Sequence, residues 1–168
     1  MSILKNLIGK TKIIQAPMAG VSTPKMAVSA CQAGIIGSIG VGMMEPQAIR
    51  KAVEEIKEKT DKPFNVNLFI VDNLEGYNIN NDKMKWLFDY YKLRQLELPN
   101  PKKFAPKFED QFEVLLELKP PIASFAFGCL DEYQVKALHD RDIKVGDIHV
   151  FISTTNGNEI GNWCSNKS

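Results

Sequence analysis

Four short apolar runs recur along this 168-residue chain, Ile13 to Gly20, Ile35 to Gly40, Phe64 to Ile70 and Ile122 to Gly128, and stretches of helical period lie between them. Each run is too short for a stable helix and rich in β-branched or aromatic residues, so each reads as a strand. Strands that alternate with helices cannot be joined by hairpins. The pattern therefore specifies an α/β chain whose parallel sheet is covered by helices.

The first run, Ile13-Ile14-Gln15-Ala16-Pro17-Met18-Ala19-Gly20, is expected to form one short buried strand. Pro17 has no N–H for a sheet ladder, so the strand stops about there. Ala16, Pro17, Met18, Ala19 and Gly20 then make a turn with little side chain. In α/β folds ligands bind at the C-terminal ends of the strands, and small residues there let a flat ligand approach the backbone. An ordinary strand-to-helix turn has the same composition.

Ser22-Thr23-Pro24 supplies a cap and an early proline for a helix from Lys25 to Ala33, closed by Gly34. The second strand follows and opens at Val41-Gly42-Met43-Met44. Its Gly37-x-x-Gly40-x-Gly42 spacing is not the order of a dinucleotide fingerprint. From Pro46 to Thr60, Ala48, Ile49, Ala52, Val53 and Ile56 fall on one helical face with charges opposite. The third strand contains Asn67, which when buried must find partners, either neighbouring polar groups or a polar ligand.

Asp72 to Pro121 is the least regular segment. Two helix-like pieces, about Asp82 to Arg94 and Phe108 to Leu118, make it read as an insertion or lid, with Trp86, Phe88, Tyr90 and Tyr91 as packing residues. The fourth strand follows. A short helix runs from Asp131 to His139, and Ile143-Lys144-Val145 begins a fifth strand.

A net charge of +1 with both signs interspersed leaves no electrostatic footprint for nucleic acid or an anionic membrane. No apolar run approaches the roughly 20 residues of a membrane span, and Met1 to Lys10 lacks the form of a signal peptide. Cys31, Cys129 and Cys164 are odd in number and not in metal-ligand spacing, which fits a reducing cytoplasm.

Taken together, Ile14-Gln15-Ala16-Pro17-Met18-Ala19-Gly20, Ala33-Gly34-Ile35-Ile36-Gly37-Ser38-Ile39-Gly40, Asp61-Lys62-Pro63-Phe64-Asn65-Val66-Asn67-Leu68-Phe69 and Ser124-Phe125-Ala126-Phe127-Gly128 resemble the nitronate monooxygenase family, formerly the 2-nitropropane dioxygenases. The resemblance covers about residues 4 to 145, including the long insertion. It implies an FMN-dependent (β/α) barrel of TIM type that oxidises alkyl nitronates with dioxygen. It further implies that the flavin lies along the segment matching Pro17 to Gly20 and is bonded by the residue matching Asn67. FMN-type enoyl-acyl carrier protein reductases share the barrel. The Gln15 to Gly20 wording and the insertion favour the monooxygenases.

An eight-stranded barrel needs about 250 residues, so the expectation is an incomplete barrel of about four βα units. Residues 1–145 would form it, with 72–121 as the insertion. In the family a Gly-Gly-His segment after the fifth strand supplies the catalytic base, and later glycine-rich loops hold the flavin phosphate; none of this text is found here. His139 and His149 do not match that motif and read as surface residues. After Val145 the pattern is lost, and 146–168 reads as an aberrant, disordered tail of the kind a shift of reading frame produces. The expected chain is thus truncated and weakly active or inactive. A second reading is a non-catalytic half-barrel that associates with itself through open strand edges.

Overall fold

The computed structural model describes residues 13–71, 85–97 and 106–147. Two compact units are present, Asp72–Ala105 and the remainder of the chain. The larger contains a parallel sheet of β1 (Gly37–Gly40), β2 (Phe64–Phe69), β3 (Ile122–Ala126) and β4 (Lys144–Asp147), in that order. Its helices are α1 (Pro24–Gln32), α2 (Pro46–Lys59), α4 (Phe108–Leu118) and α5 (Glu132–His139), and α3 (Lys85–Leu93) lies in the smaller unit. The strand order follows the chain order, as successive βα crossovers of one hand require.

Register divides the sheet into two faces. Ile39, Val66, Leu68 and Phe125 alternate onto one side, all 2% exposed or less, and join Val53, Ile56, Phe112 and Leu115 of α2 and α4 in a single apolar core. Truncating Phe125 to Ala would cost about 3 to 5 kcal/mol, as for other large core side chains. Gly37 is fixed by packing: a Cβ there would lie 2.0 Å from the Ala27 carbonyl oxygen of α1. The opposite face carries Ser38 and Gly40, Asn65, Asn67 and Phe69, Ser124 and Ala126, and Gly146. Apart from Phe69, and from Ile122 and Lys144 at the N-terminal ends of β3 and β4, it is small and polar, in contrast to the core face.

The helices start where local chemistry dictates. Thr23 caps α1 by accepting from Met26 N, and Asp131 and Gln134 form a capping box on α5. Lys57 of α2 donates to the Leu118 carbonyl at the end of α4, and Arg50 pairs with Glu117. Helix α4, expected within the insertion, thereby belongs to the main core.

Three expectations need correction. The first run is not a buried strand: Ile13 and Ile14 are 56% and 45% exposed, and a single parallel bridge, Ile14 to Ile36, joins them to the sheet. Gly146 and Asp147 do not belong to a disordered tail, because they pair in β4 with Ser124 and Phe125; residues 148–168, and the frameshift reading with them, lie outside the described residues. No residue of α3 is buried, with Trp86 68% and Tyr90 48% exposed, so its aromatic residues are not core. Cys31 is a free buried thiol.

Candidate functional site

The turn from Ala16 to Gly20 sits at the C-terminal end of β1. A Cβ on Gly40 would lie 2.8 Å from Ala19 N and 2.9 Å from the Met18 carbonyl carbon, so the turn rests directly on the glycine. Gly20, at φ +76°, takes the left-handed conformation that favours glycine. Ser22 holds the turn closed: its Oγ accepts from Met18 N at 2.8 Å, while its own N–H donates to Met18 O at 2.8 Å. Ser22 is 3% exposed. In the sequence it reads only as part of a helix cap.

Gln15 anchors the other end of the turn. Gln15 N donates to Ile36 O, the last backbone rung before Pro17 interrupts the ladder. The next rung would need an N–H at Pro17 for Ser38 O. The Gln15 side chain replaces it, with Nε2 donating to Ser38 O and Oε1 accepting from Ser38 N. The chain is thereby freed to leave the sheet at Ala16.

Register carries Gly40 onto Asn67 and Asn67 onto Ser124. Both Asn65 Nδ2 and Asn67 Nδ2 donate to Ser124 Oγ at 3.0 Å, and Asn65 Nδ2 also reaches Ser38 Oγ at 3.3 Å. Ser38, Asn65, Asn67 and Ser124 are all 5% exposed or less, and Asn65 Oδ1 is buried without a hydrogen-bond partner. A buried amide normally satisfies both ends, so this orphaned acceptor marks a face adapted to further polar contact. Of the residues read from the sequence, the structure brings Met18, Ala19 and Asn67 together through Gly40.

Two further features frame the mouth. Gln111 of α4, 1% exposed, donates to the carbonyls of Gly42 and Met44 and so pins the loop after β1. Phe127 follows β3 at φ +72°, unusual for a residue with a side chain, and stacks edge-on against Phe69 with centroids 4.9 Å apart. Among the described residues, no ionisable side chain lies on this face at the C-terminal ends of the strands, and no cluster of three or more His, Cys, Asp or Glu could hold a metal ion. Such a neutral floor, with backbone at Gly40 and an amide at Asn67, suits a flat heteroaromatic group with hydrogen-bonding edges.

His139 is exposed and ends α5, which leads into the start of β4. It therefore stands at the opposite end of the strands from this site. His149 lies outside the described residues.

A parallel sheet covered on one face by helices, with small and polar residues at its ligand-side ends, is a segment of a TIM-type (β/α) barrel. The chain matches the nitronate monooxygenase family over residues 1–161 and belongs to that family. The match runs past Val145, where the resemblance in the sequence ends.

The nitronate monooxygenase of Paraburkholderia phytofirmans is 37% identical over 158 residues, covering 89% of this chain and 41% of the relative. That of Pseudomonas aeruginosa is 36% identical over 141 residues, covering 79% and 39%. A nitroalkane oxidase structure from Streptomyces ansochromogenes superposes with TM-score 0.73 at 27% identity, over 87% of this chain and 42% of that one. FabK of Thermotoga maritima gives 0.59 at 26% identity, over 86% and 36%. The chain thus spans about two fifths of the length of these relatives.

Proposed function

We propose that this chain carries the flavin-cradling half of an FMN-dependent nitronate monooxygenase, whose substrates are an alkyl nitronate and dioxygen. The observation that carries the reading is the Met18–Ala19 peptide seated on Gly40, in register with Asn67. Backbone at Ala16 to Gly20 would lie along the ring system, and Asn67 would bond its polar edge. The orphaned Asn65 acceptor and the uncharged polar face at the strand ends fit a neutral heterocycle resting on this floor. Bound FMN would supply the redox chemistry, accepting electrons from the nitronate and passing them to dioxygen.

The chain's own residues position and exclude; among the described residues, the polar face at the C-terminal ends of the strands carries no ionisable side chain to take the substrate's proton. General-base loss typically lowers rates by 10² to 10⁴, so little or no nitronate oxidation is expected of this chain alone. Oxygen uptake with an alkyl nitronate and added FMN tests this. Turnover near 1 to 10³ s⁻¹, the ordinary enzymatic range, would contradict it.

The second reading, a non-catalytic half-barrel that associates with itself, is favoured by the exposed edge at Ile13 and Ile14. Sedimentation separates the two readings. A dimer without FMN affinity would support the second.

A further inference from the structure

Gln111 reaches from α4 into the loop that follows β1, and its amide meets three backbone carbonyls there: Met44 O at 2.8 Å, Gly42 O at 3.2 Å and Val41 O at 3.4 Å. Carbonyl oxygens only accept, so the end they surround is the NH₂; turned over, the carboxamide oxygen would face three acceptors. The helix behind it is firmly seated. Phe108 and Phe112, on either side of Gln111 in the chain, pack against Phe125 of β3 with ring centroids 6.4 and 6.3 Å away. Within the loop Met44 N donates to Val41 O, and Val41 N donates to the Asn67 carbonyl, so the clamped segment begins directly beside Asn67.

What the clamp holds in place is a contact with Phe69. A Cβ on Gly42 would lie 2.5 Å from Phe69 Cγ, so the glycine backbone rests against the ring. Phe69 stands two residues beyond Asn67 on the same face of β2, at its C-terminal end, and Phe127, following β3, meets the same ring edge-on. We infer that Gln111 is a positioning residue: by holding Gly42 against the ring, it fixes Phe69 as a rigid apolar wall beside the Asn67 floor. A loop released from α4 would remove the support of that wall on the β1 side. The consequence for FMN rests on the flavin reading; the placement of Phe69 does not. Gln111 has no need to touch the ligand, since it acts from a rigid element through the loop and the ring.

The test is FMN titration of the purified chain, followed by flavin fluorescence, beside Gln111→Met, Gly42→Ala, Phe69→Ala and the Gln111→Met/Phe69→Ala pair, with folding checked by circular dichroism. Gln111→Met keeps the length of the side chain and removes its donor. It is expected to weaken FMN binding about tenfold. Gly42→Ala forces the same contact apart while Gln111 stays in place, and should weaken binding by a similar factor. In the Phe69→Ala chain Gln111→Met should have no further effect, because no ring is left to place. Affinity of Gln111→Met within about twofold of wild type, even with a lowered melting temperature, overturns the inference. So does an undiminished effect of Gln111→Met in the Phe69→Ala chain.

The Phe69 ring resonances, assigned by their loss in Phe69→Ala, read the same placement without flavin. They should shift in Gln111→Met and in the milder Gln111→Asn, whose amide is one methylene short of the loop; resonances that stay in place in either folded variant overturn the inference. A shift in a chain that binds no FMN would retain the placement of Phe69 by Gln111 and reject the flavin reading.

Discussion

The Gln15 carboxamide takes both backbone partners of Ser38, donating to its carbonyl at 3.3 Å and accepting from its N–H at 3.4 Å. It makes with a side chain the rung that Pro17 cannot make with its backbone. The turn at Ala16 to Gly20 departs from the sheet at this point, so the position of the site depends on this substitution. Gln15→Leu, of similar size, would leave Ser38 without these partners. Stability should fall by about 1 to 3 kcal/mol, measured by denaturant unfolding. An unchanged midpoint would mean that water serves Ser38 equally well.

Gly40 and Gly146 make a matched pair of tests. Gly40→Ala places a methyl 2.8 Å from Ala19 N and must displace the turn, whereas a Cβ at Gly146 meets nothing nearer than 3.9 Å among the described residues. The first should cost about 1 to 3 kcal/mol, as overpacking generally does, and weaken FMN binding. The second should unfold within about 0.5 kcal/mol of wild type. Equal behaviour of the two variants would remove the contact between turn and strand from the account.

Ser22→Ala removes the acceptor of Met18 N at a residue 3% exposed. A loss of about 1 to 3 kcal/mol is expected. Hydrogen exchange at Met18 reads the same event locally, and its amide should exchange faster than in wild type. Unaltered exchange would show that the turn is held by other contacts.

Acid sensitivity should owe little to Asp142. Lys144, through its hydrogen bond and its charge, lowers the Asp142 carboxyl from the ordinary 3.8. A depressed folded-state pKa stabilises the fold above the unfolded value, and that contribution fades as the pH falls through the folded one. The window therefore lies below about pH 4, and the exposure of Asp142 to solvent screens it. Asp142→Asn should leave the melting temperature unchanged from pH 5 to 8, with any difference confined to the acid limb. A difference at neutral pH would point to another role for this pair.

The main elements were legible because their signals are local. The apolar period of Pro46 to Lys59 and the cap at Thr23 are written within a few residues, and α4 fell at Phe108 to Leu118. The edge at Ile13 and Ile14 misled because β-branched residues mark a strand but do not show whether it pairs on both sides. Ser22, Gln111 and Ser124 were not legible as site residues. The partners of Gln111 are carbonyls about 70 positions away, at Gly42 and Met44, and those of Ser124 are the amides of Asn65 and Asn67. Nothing in the neighbourhood of either residue along the chain announces such contacts. Asn67 was legible as a buried amide needing partners, and the structure gives it one in Ser124.

The most direct measurement is equilibrium binding of FMN to the purified, folded chain, followed by the shift of the flavin absorption bands and by fluorescence. The account predicts saturable binding of one FMN per chain, weakened about tenfold or more by Asn67→Ala and by Gly40→Ala, with circular dichroism of the Asn67 variant unchanged. FMN that stays free in the presence of a chain folded by circular dichroism would contradict it.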